Sequence, residues 1–233
     1  MVIGLGGVGS TAALALTMSG VGHLHCIEPD IVELSNLNRQ ILYTEKDIGR
    51  PKVDAAVDRL REHNSDILVT GVQAEVTGPN SLKTFVSGFD VLVLGADQPP
   101  EIRSWANQAC RATATPWVHG GYHGPQVSIG AYRPGTGPCY DCAHAAETER
   151  RAALPPQTEW PPAANMNPEH AANAISAGMA GNLAAHAAMS ILTGAPQLPM
   201  NHQLGLNLAV PDHSFILGPS QPRSDCSTCH GRP

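Results

Sequence analysis

Gly4-x-Gly6-x-x-Gly9 stands between a short apolar run at 1–3 and an Ala/Leu-rich stretch, with an acid, Glu28, after the next apolar run. That order suits a phosphate ligand. Glycines let the backbone approach the phosphates, a helix N-terminus stabilises their charge, and the acid accepts hydrogen bonds from ribose hydroxyls. Taken alone, the loop reads as an NAD, FAD or other nucleotide site, with a ligand-free glycine turn as the bland alternative. A second constellation is Cys139-Tyr140-Asp141-Cys142 with Cys226-Ser227-Thr228-Cys229. Four thiolates in two short pairs can close a tetrahedral zinc site, structural because no coordination position stays open. Disulfides or a redox pair are the alternatives, although neither pair visibly opens a thioredoxin-like helix. Cys26, in an apolar run, and Cys110, near a helix end, read as ordinary core thiols.

Positioning these groups takes a sheet covered by helices. Short apolar runs predict strands over 22–27, 67–72, 90–94 and 115–119, after a stump at 1–3. Helical patterns cover 10–19, 52–63 and about 101–111. Val53, Ala56, Val57 and Leu60 fall at i, i+3, i+4 and i+7, and Pro51 suits the first turn. Residues 126–132 alternate and add a strand, and 203–210 and 213–217 read as late strands. The expected fold is α/β: a Rossmann-like doubly wound, mainly parallel sheet with helices on both faces, plus C-terminal antiparallel strands and a four-cysteine zinc knuckle. The proline-dotted stretch 147–169 reads as an irregular crossing segment. Residues 171–192 form a long Ala-rich helix, either core or a dimer contact. Three residues before Gly4 make a short first strand, against the usual five or so.

The chain has 14 Lys and Arg against 20 Asp and Glu, a formal charge of −6. That balance argues against a nucleic-acid partner, which needs a basic face. No window reads as the roughly 20 apolar residues that span a bilayer, and no secretory signal opens the chain, so no membrane and a cytoplasmic setting are expected. His119 and His123 bracket Gly120-Gly121-Tyr122, as a rim for a substrate tail or, with more weight, as satisfied structural histidines. His23 and His25 read as non-functional. His230 could compete as a zinc ligand, although four cysteines suffice.

Three segments together are more specific. The glycine loop, Ser35-Asn36-Leu37-Asn38-Arg39-Gln40 and Gly49-Arg50-Pro51-Lys52 resemble the ubiquitin-activating-enzyme-like superfamily, within it the bacterial ThiF/MoeB adenylyltransferases. The resemblance implies one adenylation domain over 1–233, with a nucleotide-binding core at 1–135 and a zinc-stapled crossover and C-terminal part at 139–229. It implies an ATP- and Mg2+-dependent enzyme that adenylates the C-terminal carboxylate of a small ubiquitin-like or sulfur-carrier protein or precursor peptide, as a homodimer. Arg39, Lys52 and Asp97 are then the catalytic residues. Gly6, Gly7, Gly9, Glu28, Asp30, Ser35, Asn36, Gln40 and Gln98 contact the nucleotide; Glu28 and Gln98 stand where the family often has Asp and Asn. Arg103 lies near a family arginine at different spacing. The four cysteines match the zinc ligands of the MoeB-like group. Residues 143–225 contain no cysteine, which disfavours a thioester relay there; the chemistry stops at acyl-adenylate or an external nucleophile completes it. The family's arginine from upstream of the first strand would come from residues before Met1, a partner or another loop. A catalytically degenerate, partner-binding module is the alternative, and an NAD-dependent oxidoreductase the third reading.

Overall fold

The computed structural model describes residues 1–123, 125–153, 172–207 and 210–230. One eight-stranded sheet runs in the order β3-β2-β1-β4-β5-β6-β7-β8. The strands are β1 (Val2–Ile3), β2 (His23–Ile27), β3 (Leu68–Val72), β4 (Leu92–Leu94), β5 (Trp117–His123), β6 (Gln126–Tyr132), β7 (His202–Asn207) and β8 (Phe215–Leu217). The first five are mutually parallel and the last three pair antiparallel from β5 onward. The order reverses at β1, between β2 and β4, the switch point at which open α/β sheets bind ligands.

Helices cover both faces, as expected. Buried side chains of α1 (Gly7–Met18), α2 (Lys52–His63) and α6 (Ala174–Thr193) share one cluster. Those of α3 (Pro79–Val86), α4 (Ile102–Thr113) and α5 (Tyr140–Ala153) share the other with Trp117 and Tyr132. The apolar stripe of α2 is buried throughout. Aromatics are scarce, and small residues compensate by close approach. A Cβ on Gly181 would sit 2.6 Å from the Val8 carbonyl oxygen, so α6 lies directly on α1.

Several expectations need correction. Helix α3 was not foreseen; eight residues with only Leu82 and Val86 fully buried give little periodicity to read. Residues 147–153 continue α5 rather than starting an irregular segment, and 154–171 lie outside the described residues. Both cysteine pairs do open helices, α5 and the single turn α7 (Ser227–His230). Helix α6 is long and apolar enough by length and composition to cross a bilayer, contrary to the reading that no stretch is. Its Ala177, Ala180, Ala184 and Ala188 are fully buried, which makes it a core helix.

Candidate functional site

A cleft of about 830 Å³ opens at the switch point, within the roughly 300–1,000 Å³ range of small-molecule sites. Its floor is the glycine turn. Gly4 has φ +84°, and a Cβ there would lie 2.5 Å from the Ala96 nitrogen; one on Gly9 would lie 1.7 Å from the Gly4 carbonyl oxygen. Strand end, turn and helix start thus pack backbone to backbone. Gly6 occupies the N-cap of α1 with no side-chain cap bond, leaving first-turn N–H groups without an intrahelical partner. Among the described residues nothing approaches a Gly6 Cβ closer than 3.9 Å, so the space above the turn can take an anion.

Glu28 holds this turn in place. Its carboxylate is 4% exposed and accepts from the Leu5 N–H at 2.6 Å and the Asp30 N–H at 3.0 Å. The Tyr43 hydroxyl donates to the Leu5 carbonyl at 3.1 Å. Burial, then the nearby Glu28 charge, pushes that phenol far above its ordinary range, so it remains a donor.

Two cations enter from separate segments. Arg39 Nη1 donates to the Ser35 carbonyl and to Asn38 Oδ1, both at 2.9 Å, and its Cγ lies 3.4 Å from where a Gly7 Cβ would be. Lys52, buried at the start of α2, places Nζ 3.0 Å from Asp30 Oδ2, while its N–H donates to the Asp30 carbonyl at 2.9 Å. Burial raises the Tyr122 phenol above its usual range; the Arg39 charge opposes that shift and the Asp97 charge adds to it, and all three residues line the cleft. Among the described residues Gln40 Oε1 is buried without a hydrogen-bond partner, an orphan acceptor on a residue of the cleft wall.

Of the nucleotide-site residues expected from sequence, Gly6, Gly7, Glu28, Asp30, Asn36, Arg39, Gln40, Lys52, Asp97 and Gln98 line the cleft. Gly9 serves the packing beneath it, and the exposed Ser35 hydroxyl donates to Glu33 at 3.2 Å. Sequence reasoning missed Ala74–Thr77 and Trp105 on the walls, while Tyr122, in the segment read as one option for a substrate-tail rim, does line the cleft. The loop after β3 was findable from the rule that ligands sit beyond strand carboxyl ends; Trp105 had no such signal. Arg103 lies over Gly121, 3.5 Å from its would-be Cβ, next to the cleft rather than on its wall. His119 is neither rim nor satisfied: it is buried among Trp117, Tyr132 and Tyr140, and among the described residues neither ring nitrogen has a partner. Desolvation, then the Arg103 charge, holds its pKa well below the ordinary histidine value.

The four cysteines meet as expected. Their ligand atoms lie within 4.8 Å of one another, with Cys139–Cys226 and Cys142–Cys229 at 3.6 Å and Cys139–Cys142 at 4.0 Å between sulfurs. A tetrahedron with Zn–S bonds of about 2.3 Å has edges of about 3.8 Å, and a disulfide needs about 2.05 Å. The spacing fits zinc. Burial pushes the remaining thiols, Cys26 and Cys110, up to about 12, consistent with inert core residues.

The ThiF family pattern matches residues 1–228. The chain belongs to the ThiF family. This ThiF-family chain is 45% identical over 118 residues to the sulfur carrier protein ThiS adenylyltransferase of Escherichia coli, covering 51% of the chain and 46% of that protein. It is 36% identical over 145 residues to the molybdopterin-synthase adenylyltransferase of the same organism, covering 61% and 57%. It thus spans about half the length of these curated relatives. It is similar too to E. coli MccB solved with ATP, at a TM-score of 0.78 and 26% identity over 98% of this chain and 65% of MccB. MccB has also been solved with AMPCPP and selenomethionine MccA.

Proposed function

We propose that this chain is an ATP-dependent adenylyltransferase that activates the C-terminal carboxylate of a small ubiquitin-like or sulfur-carrier protein, or of a precursor peptide, as an acyl-AMP. The observation that carries the reading is the arrival of Arg39 and Lys52, from separate segments, on one cleft across the glycine turn. In this reading the triphosphate lies over 6–9, facing the open N–H groups of α1. Arg39, braced by Ser35 and Asn38, and Lys52 offset charge on the phosphates. A carboxylate oxygen of the partner attacks the α-phosphorus, the bond to the bridging oxygen breaks, and pyrophosphate leaves.

Four carboxylates, Glu28, Asp30, Glu75 and Asp97, share the cleft with the two cations, so a triphosphate needs further positive charge. Magnesium supplies it when bound, and the exposed Asp97 is its proposed ligand, with Gln98 beside it. Ala74, Val76 and Pro99 give an apolar wall for the base, and Glu28 has lone pairs left for ribose hydroxyls. Zinc in the four-cysteine centre is a structural staple. With no cysteine in 143–225, the reaction ends at acyl-adenylate or passes to an external nucleophile. A cytoplasmic homodimer belongs to the same proposal; the exposed Leu34 and Ile175, on segments linked by the Asn38–Ala172 bond, support a partner surface there.

Incubation with ATP, Mg2+ and the small proteins or precursor peptides encoded beside the chain should yield acyl-adenylate and pyrophosphate. Arg39→Ala and Lys52→Ala should each remove that activity; retention in both would overturn the assignment. The second reading, a degenerate partner-binding module, is favoured by the ion pair that already engages Lys52. Absence of MgATP binding at millimolar concentration would decide for it.

A further inference from the structure

The first cysteine pair encloses a carboxylate that ligates nothing in a four-sulfur site. Asp141 Oδ1 accepts from the Ser104 hydroxyl at 2.7 Å. Its Oδ2 accepts from Asn107 Nδ2 at 2.9 Å and from the Thr228 hydroxyl at 2.5 Å. Three elements meet on this one group: α4 through Ser104 and Asn107, α5 through Asp141 itself, and the second cysteine pair through Thr228. An acid in the first turn of a helix ordinarily serves that helix's own N–H groups; both oxygens here face other elements instead.

The same stripe of α4 is fastened twice more. Asn107, itself buried, accepts from the Tyr140 N–H at 3.3 Å, and Arg111 Nη2 donates to the Cys229 carbonyl at 3.1 Å. Positions 104, 107 and 111 share one helical face by spacing. Ile102 and Trp105, on an adjoining face, line the nucleotide cleft, and so does the Asp97–Pro99 stretch that leads into α4. The helix that forms the outer cleft wall is therefore tied along its length to the four-cysteine centre.

We propose that Asp141 is a positioning residue that braces α4 against the four-cysteine centre, so that metal loading and nucleotide binding favour one another. This rests on the reading of the cleft as a nucleotide site. By linkage, a ligand that metal helps to bind must in turn help to retain the metal.

The test uses the full zinc-loaded chain and follows zinc release to a colorimetric chelator, with and without MgATP, beside calorimetry of MgATP binding. Saturating MgATP should slow zinc release several-fold in the wild type. Asp141→Ala should release zinc several-fold faster, because Thr228, inside the second cysteine pair, loses its tie to α5, and MgATP should no longer protect it. Ser104→Ala, remote from the sulfurs, keeps the test valid if Asp141→Ala fails to fold: its zinc release without nucleotide should match the wild type, while protection by MgATP shrinks. Equal protection in the wild type and both variants would overturn the brace. Tight MgATP binding with no protection in the wild type would overturn the coupling alone, and failure to bind MgATP at all would overturn it together with the adenylation reading.

Discussion

Glu28→Gln isolates the bond that holds the glycine turn. The wild-type carboxylate accepts from two backbone N–H groups, at 2.6 and 3.0 Å, in a 4% exposed position. A glutamine amide presents one oxygen and one NH2, so it accepts from one of the two N–H groups and sets a donor against the other, of which the Leu5 N–H is buried. Hydrogen bonds to a charged acceptor contribute about 1.5–3 kcal/mol, and a stranded buried donor adds its desolvation cost. The expected loss is about 2 kcal/mol, or about 4–8 °C in Tm for a chain of this size. Thermal unfolding followed by circular dichroism reads it directly. Because Leu5 N–H belongs to the turn itself, MgATP affinity measured by calorimetry should fall with it. Glu28→Asp, one methylene shorter, should lose one of the two bonds and lie between the other proteins. A Glu28→Gln protein with wild-type Tm and wild-type MgATP affinity would refute the reasoning.

Two further outcomes follow from burial. His119 and His25 both have pKa values lowered chiefly by desolvation, so the unfolded chain binds more protons than the folded one as pH falls through about 6.5. Stability should therefore decline below that pH, by up to about 1.4 kcal/mol per pH unit for the buried His119 and by much less for the solvent-screened His25, and denaturant titrations of His119→Phe should show a shallower slope; an unchanged slope counts against it. Thiol labelling of the native zinc-loaded chain should find Cys26 and Cys110 silent, since burial shields both and raises them to about 12; after chelation the four clustered thiols should react first, and early labelling of Cys26 would contradict the core placement.

Much of this was legible in the sequence because the signals were local. The α2 stripe, the strand at 126–132 and the position of the glycine turn follow from spacing within a dozen residues, and the structure reproduces them. Glycine spacing was readable for a further reason: Gly4 and Gly9 are fixed by steric contact between a strand end and a helix start, which only glycine permits. Long-range pairings were not legible. Trp105 reaches the cleft because α4 borders β4, and no pattern around it announces that. His119 was misread since its neighbours on β6 and α5 are distant in sequence, and their aromatic rings, not a carboxylate, surround it. Helix α5 was hidden because its start coincides with the cysteine pair and its polar run resembles the segment beyond it. The brace at Asp141 depends on partners 34, 37 and 87 residues away, a separation at which spacing carries no information.

The central claim is that Arg39 and Lys52 together hold a triphosphate across the glycine turn, and isothermal calorimetry with MgATP tests it most directly. The wild-type chain should bind one nucleotide per cleft, and Arg39→Ala and Lys52→Ala should each weaken binding about tenfold or more, as expected for loss of a charge-assisted contact to phosphate, while adenosine binds all three proteins alike. MgATP affinity unchanged in both variants would contradict the account.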